Sequence, residues 1–137
     1  MTLTDDFYEM LYVSTMTPTA PVSMVSKIAM QARVSNAVQR ITGMLIFDGL
    51  RFCQYVEGSK NDVIALFERI CADSRHAAIT LIHQGPLQER RFNKFSLAFA
   101  NGDDYEALSR LELLKGETGL SAFAEMIPTL DLEVQRC

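Results

Sequence analysis

The order of elements legible in the sequence, strand-helix-strand-strand-helix-strand with one further strand behind them, predicts an α+β fold: one sheet with two helices on one face. Three observations carry that reading. Two stretches, around Val25–Ala32 and Val63–Cys71, repeat apolar residues at helical spacing. Several short runs are rich in aromatic and β-branched residues, as strands are. Between two of these runs stands Asp48-Gly49, a hairpin signal, because glycine supplies the positive φ that a tight turn needs.

Taken in order, Phe7–Ser14 is the first expected strand, with Tyr8, Met10, Tyr12 and Ser14 on one face and Phe7, Glu9, Leu11 and Val13 on the other. Thr15–Pro21 holds two prolines and reads as a loop. A helix follows from about Val22 to Ala37, with poor propensity in its last turn, Val34-Ser35-Asn36. Residues 41–57 form the hairpin, and alternation puts Gln54 on the face of Phe52 and Val56. A carboxamide between two apolar neighbours must find partners or cost on the order of 1–3 kcal/mol.

Ser59 then caps a second helix, with Asp62 at capping-box spacing and Val63, Leu66, Phe67, Ile70 and Cys71 as its apolar stripe. Ala78–Gln84 and Phe95–Phe99 complete the strands. The arrangement is ferredoxin-like with one extra strand. Past Asn101-Gly102, Asp104–Leu114 and Ser121–Met126 suit short helices that cover the open sheet face. The chain is thus expected to divide into a core, 1–102, and a helical extension, 103–137, that packs on it.

At 137 residues the chain has the length of one domain, and 48% hydrophobic with 22% charged residues is the composition of a globular one. A net charge of −4 speaks against nucleic acid as a partner. Cys53, Cys71 and Cys137 form no C-x-x-C pair, so the expected setting is a reducing cytoplasm without disulfides. Two isolated histidines make no metal site. No apolar run has the length of a membrane span and no signal-peptide pattern opens the chain, so a membrane is not an expected partner. Glu89-Arg90-Arg91 reads as a solvated loop, His76 as a loop or strand-entry residue, and Cys53 as buried on the face opposite Gln54.

A slot between two helices on a sheet is a natural ligand site. Tyr12 and Gln54 on strands and Asn36 at the end of the first helix are candidates to point into it. A phenol and two carboxamides suit a flat heteroaromatic ligand with both donors and acceptors. They do not suit acid–base hydrolysis, since neither a carboxylate nor a histidine joins them, and no enzyme activity is expected.

The motifs Leu11-Tyr12-Val13-Ser14, Asn36 followed by Ile41-Thr42-Gly43, Phe52-x-Gln54-Tyr55-Val56-Glu57-Gly58, Asp73-Ser74-Arg75-His76 and Arg91-Phe92 occur in family order and spacing. By them the chain resembles a BLUF domain, the blue-light sensor that uses flavin, of the short stand-alone type. The resemblance implies a non-covalently bound flavin, FAD with FMN as the alternative, and a photoactive pair of Tyr12 and Gln54. It implies that Asn36 bonds the flavin ring and that Arg75 lies toward the phosphate tail. Ile28 and Ile70 would sandwich the ring, with Leu45 and Phe52 on the sheet side. Light would draw an electron and a proton from Tyr12 and rewire the bonds of Gln54. Where the family commonly carries Trp and Met on the last strand, this chain has Phe95 and Leu97, which puts the relay through that strand in question. Signal is expected to pass by contact within a homo-oligomer or to a separate protein partner.

Rival functions are weaker. An acylphosphatase-like hydrolase needs an arginine cradle that Ser14–Pro21 lacks. An RNA-binding module of this topology needs a basic aromatic surface. The alternative kept open is a flavin-binding or apo interaction module with impaired signalling.

Overall fold

Strand pairing begins from the middle of the molecule. In the computed structural model, which describes residues 7–16, 24–73, 76–99, 107–111, 113–127 and 131–132, β1 (Phe7–Met16) lies antiparallel to both β3 (Arg51–Ser59) and β4 (His76–Leu87). The hairpin joins β2 (Thr42–Phe47) to β3 with Phe47 opposite Phe52. Its turn is held by the Asp48 side chain, which accepts from the amides of Leu50 (2.9 Å) and Arg51 (2.7 Å), while Gly49 takes φ 102°. The order β4-β1-β3-β2 is the ferredoxin-like sheet that the sequence predicts.

The extra strand, β5 (Phe95–Phe99), adds to β2 in parallel, and β6 (Asp131–Leu132) closes the far edge antiparallel to β5. The chain therefore crosses from one edge of the four-stranded unit to the other between β4 and β5. One row of paired residues spans five strands: Leu81, Tyr12, Gln54, Leu45 and Leu97.

Two helices, α1 (Met24–Val38) and α2 (Lys60–Ala72), cover one face. Ser59 caps α2 as its spacing predicts, accepting from the Asp62 amide at 3.4 Å and donating to the Asp62 carboxylate at 2.9 Å. This face packs around Tyr12, Leu45, Phe52, Val56, Val63 and Leu66. On the other face, α3 (Ala107–Leu111) and α4 (Glu117–Met126) pack over Leu11, Val13, Ile46, Cys53 and Tyr55, with Leu108 and Phe123 facing inward. Gly119 sits so close to β4 that a Cβ there would stand 2.3 Å from Ile82 Cγ2.

Several bounds differ from the sequence reading. β1 continues through Thr15 and Met16, which pair with Ala77 and His76, so the loop expected from Thr15 starts later; residues 17–23 lie outside the described residues. β4 runs through Gly85 and Pro86, because an edge strand paired on one side tolerates a missing donor. It carries register shifts opposite Leu11–Thr15 and a positive φ at Ala78 (49°). Cys71 is exposed rather than part of the buried stripe of α2, while Cys53 is buried as expected. α3 stops before Leu113 and Leu114, which the expected Asp104–Leu114 helix included; residues 104–106 and 112 lie outside the described residues, and α4 begins four residues before Ser121. Among the described residues no helix is long and apolar enough to cross a membrane.

Candidate functional site

Between α1, α2 and the sheet lies a cavity of about 220 Å³. Five predicted site residues line it: Ile28 and Asn36 from α1, Ile70 from α2, and Leu45 and Gln54 from the sheet. Leu66 and His76 complete much of the wall. Alternation along β3 explains the local choice: Phe52, Gln54 and Val56 face the helices, and Cys53 and Tyr55 face the other core.

Tyr12 stands directly across from Gln54 in the β1–β3 pairing and donates its phenolic hydrogen to Gln54 Oε1. The Tyr12 ring meets Phe67 of α2 edge-on at 5.2 Å. Burial pushes the Tyr12 phenol well above its ordinary pKa, so the group stays a protonated donor.

Asn36 is the most telling side chain. It is 0% exposed, and neither its Nδ2 nor its Oδ1 has a hydrogen-bond partner among the described residues. Its backbone is ordinary, with the carbonyl accepting from the Ile41 amide at 2.8 Å. A buried amide left this way costs on the order of 1–3 kcal/mol, and such a group in a cavity wall is complementary to a ligand with one donor and one acceptor.

The remaining predicted residues fall around this centre. Phe52 is buried on the same face but stands against Phe47 (4.9 Å) and His76 (5.1 Å), outside the cavity lining. Leu97 is buried beside Leu45, two strands from Gln54, and Phe95 is buried in the same core. Arg75 lies outside the described residues. Sequence reasoning did not single out His76 as part of the site: it bonds Ser14 Oγ through Nδ1 at 2.9 Å and closes one wall. Its signal was the place of Ser14 on the same strand face as Tyr12.

The loop after β4 is exposed at Glu89 and Arg91, as expected of Glu89-Arg90-Arg91, and it is also tied to the sheet beneath it. Glu57, fully buried, accepts from the amides of Arg91 (2.9 Å) and Phe92 (2.9 Å), from Thr42 Oγ1 (2.7 Å) and from Tyr55 (3.1 Å). Glu9, also buried, meets the Tyr55 hydroxyl (2.7 Å), Arg91 Nε (3.3 Å) and His83 Nε2 (3.0 Å). Burial, then the bond to Glu9, raises the Tyr55 phenol far above its usual pKa. This network anchors the crossover from β4 to β5 and is fully satisfied.

Known proteins of similar sequence and fold fall in one group. The family model BLUF, described as sensors of blue-light using FAD, matches residues 7–98. Over 74 residues, 53% of this chain, the sequence is 43% identical to the photoactivated adenylate cyclase subunit beta of Euglena gracilis. Over 100 residues, 69% of this chain, it is 30% identical to the blue light- and temperature-regulated antirepressor BluF of Escherichia coli (strain K12). The matched regions span 9% of the length of the cyclase subunit and 25% of BluF. The structure is similar to the dark-state structure of BlrB, a BLUF protein, with a TM-score of 0.74 and 28% identity over 90% of this chain and 96% of that one. An α+β sheet of this order, and a family match over most of its length, make the chain a member of the BLUF family of flavin-using blue-light sensors.

Proposed function

We propose that the chain is a blue-light photoreceptor in which Tyr12 and Gln54 form the switch and Asn36, Ile28, Ile70 and Leu45 hold the flavin ring. The observation that carries this reading is the buried Asn36 amide, partnerless among the described residues, on the wall of the cavity that Gln54 also lines. A ring with a carbonyl beside an N–H would satisfy both ends of Asn36, and two isoleucines from facing helices suit its flat faces. Family membership favours FAD, with FMN as the alternative, and Arg75 is assigned to the phosphate tail. Phe52 supports this wall from behind through its packing on His76.

A bound flavin supplies the absorption of blue light and, once excited, an acceptor for one electron. Tyr12 is the donor, and its proton moves along the existing hydrogen bond onto Gln54 Oε1. The Gln54 nitrogen passes a proton toward the cavity. With flavin bound, the Tyr12 phenol would be restored at the end of the cycle and the Gln54 amide would be left rotated or tautomerised. The side chain then offers a stronger donor to the cavity, which moves the absorption to the red. Cys53, on the opposite face, takes no part.

From Gln54 the change travels through the row Leu45–Leu97 by side-chain packing, since the side chains of Phe95 and Leu97 make no hydrogen bonds. The output is contact with a protein, either a second copy or a separate partner, rather than catalysis by this chain. The apolar ridge Met30, Val34 and Val38, exposed on the outer face of α1, is surface of the kind such contacts cover.

The test is the absorption spectrum of the flavin-loaded protein before and after blue light. A structured flavin band that moves red and relaxes in the dark is expected in the parent protein. Gln54→Leu and Tyr12→Phe are each expected to keep the flavin and lose the shift. A full shift in Gln54→Leu would sink the mechanism, and a parent protein that takes up no flavin on reconstitution would sink the function.

A further inference from the structure

A cleft of about 930 Å³ lies at the other end of the sheet, where α1 ends, β2 begins and the crossover loop enters β5. It shares no lining residue with the cavity of Asn36 and Gln54. Among the described residues three cations line it, Arg40, Arg90 and Lys94, against one carboxylate, Asp62, which already accepts from Ser59. A net charge of −4 makes that local excess of positive charge the reverse of the chain's balance.

The cations are presented rather than neutralised. Arg90 is half-buried and fixed: its Nη1 donates to Thr42 Oγ1 at 2.9 Å and to the Glu57 carbonyl at 3.3 Å, and its guanidinium lies 5.0 Å from the centre of the Phe7 ring. All three partners are neutral. The nearby Glu57 carboxylate is taken up by Thr42, Tyr55 and two backbone amides. Arg40 and Lys94 are exposed and make no ion pair among the described residues. Arg40 also holds φ 57°, a left-handed conformation costly for a residue with a Cβ, at the turn between α1 and β2. That turn directs the chain along the cleft.

We propose that this cleft binds a small anion bearing phosphate groups, with Arg90 as the fixed guanidinium and Arg40 and Lys94 closing on it. Guanidinium and ammonium groups without carboxylate partners make charge-assisted bonds to phosphate oxygens, and a pre-positioned arginine loses little freedom in doing so. The site is independent of the flavin cavity, so this proposal stands or falls apart from the photoreceptor reading.

The experiment is calorimetric titration of sodium pyrophosphate into the flavin-loaded protein at fixed ionic strength, with sodium chloride as the control. Saturable one-site binding is expected, unaccompanied by release of flavin. The double variant Arg40→Ala/Lys94→Ala, which changes only exposed side chains, should weaken binding by about tenfold or more while the flavin spectrum stays the same. Absence of saturable heat at millimolar pyrophosphate, equal heat from chloride, or equal affinity in the double variant would each overturn the proposal. Arg90→Lys, which keeps the charge but loses the planar fork, separates the two roles: retained affinity there would overturn the assignment of Arg90 as the fixed contact.

Discussion

The two faces of the sheet bury polar groups to the same depth and treat them in opposite ways. Asn36 on the helix face and Glu57 on the opposite side are both 0% exposed. Every oxygen of Glu57 is bonded, to a threonine, a tyrosine and two backbone amides, whereas both ends of the Asn36 amide lack a partner among the described residues. Burial alone therefore does not tell a structural polar residue from a binding one. The state of its hydrogen bonds does: a satisfied buried group holds elements together, and an unsatisfied one beside a cavity awaits something from outside.

That contrast predicts effects of opposite sign. Glu57→Gln replaces an acceptor of amide hydrogens with a group that must donate at one end, and it should destabilise the protein by about 1.5–3 kcal/mol, since hydrogen bonds to a buried charged acceptor are lost. A fall in the urea midpoint measures this, and an unchanged midpoint would break the comparison. Asn36→Leu removes a group that the flavin-free protein leaves unsatisfied. The flavin-free form should keep or gain stability, by on the order of 1–3 kcal/mol, while flavin affinity falls. Denaturation without flavin and titration with it read the two halves separately; an equal loss of stability in both variants would erase the distinction between the faces.

The smallest effect is in pH. Tyr12 and Tyr55 are held protonated in the folded protein, each first of all by burial, so their pKa values lie above the unfolded value of about 10. A group whose folded pKa is raised adds stability that is fully present below the unfolded pKa and is lost as pH rises above it. Stability should therefore be insensitive to these phenols through neutral pH and decline from about pH 10 upward. Tyr12→Phe should flatten part of that decline in an alkaline unfolding series.

Much of this was legible from the chain because sheet alternation is a rigid rule. Tyr12 with Met10, and Gln54 with Phe52 and Val56, fall on the helix face because the period is two, and the Asp48-Gly49 turn sets the register between strands. Less legible was what depends on a partner distant in sequence. Pro86 reads as a strand breaker until β4 is known to lie at the edge. Arg90-Arg91 reads as solvated, and its ties to Glu9 and Glu57 beneath it are not legible, although a carboxylate in phase with Cys53 and Tyr55 was already a sign that something must meet it. The parallel pairing of β5 with β2 has no local signature at all, because a crossover around the sheet is decided by which edge is open.

The row that joins Tyr12, Gln54, Leu45 and Leu97 also bears on how the protein is made. Tyr12 and Gln54 are 42 residues apart, and Leu97 comes from a strand added after both. No early fragment of the chain holds the pocket, so contacts of high sequence separation must close before a ligand has anything to bind. Flavin can then recognise only the finished sheet. At a hundredfold excess over its dissociation constant it would add about 2.7 kcal/mol to the native state, making the cofactor a late check on folding as well as the antenna.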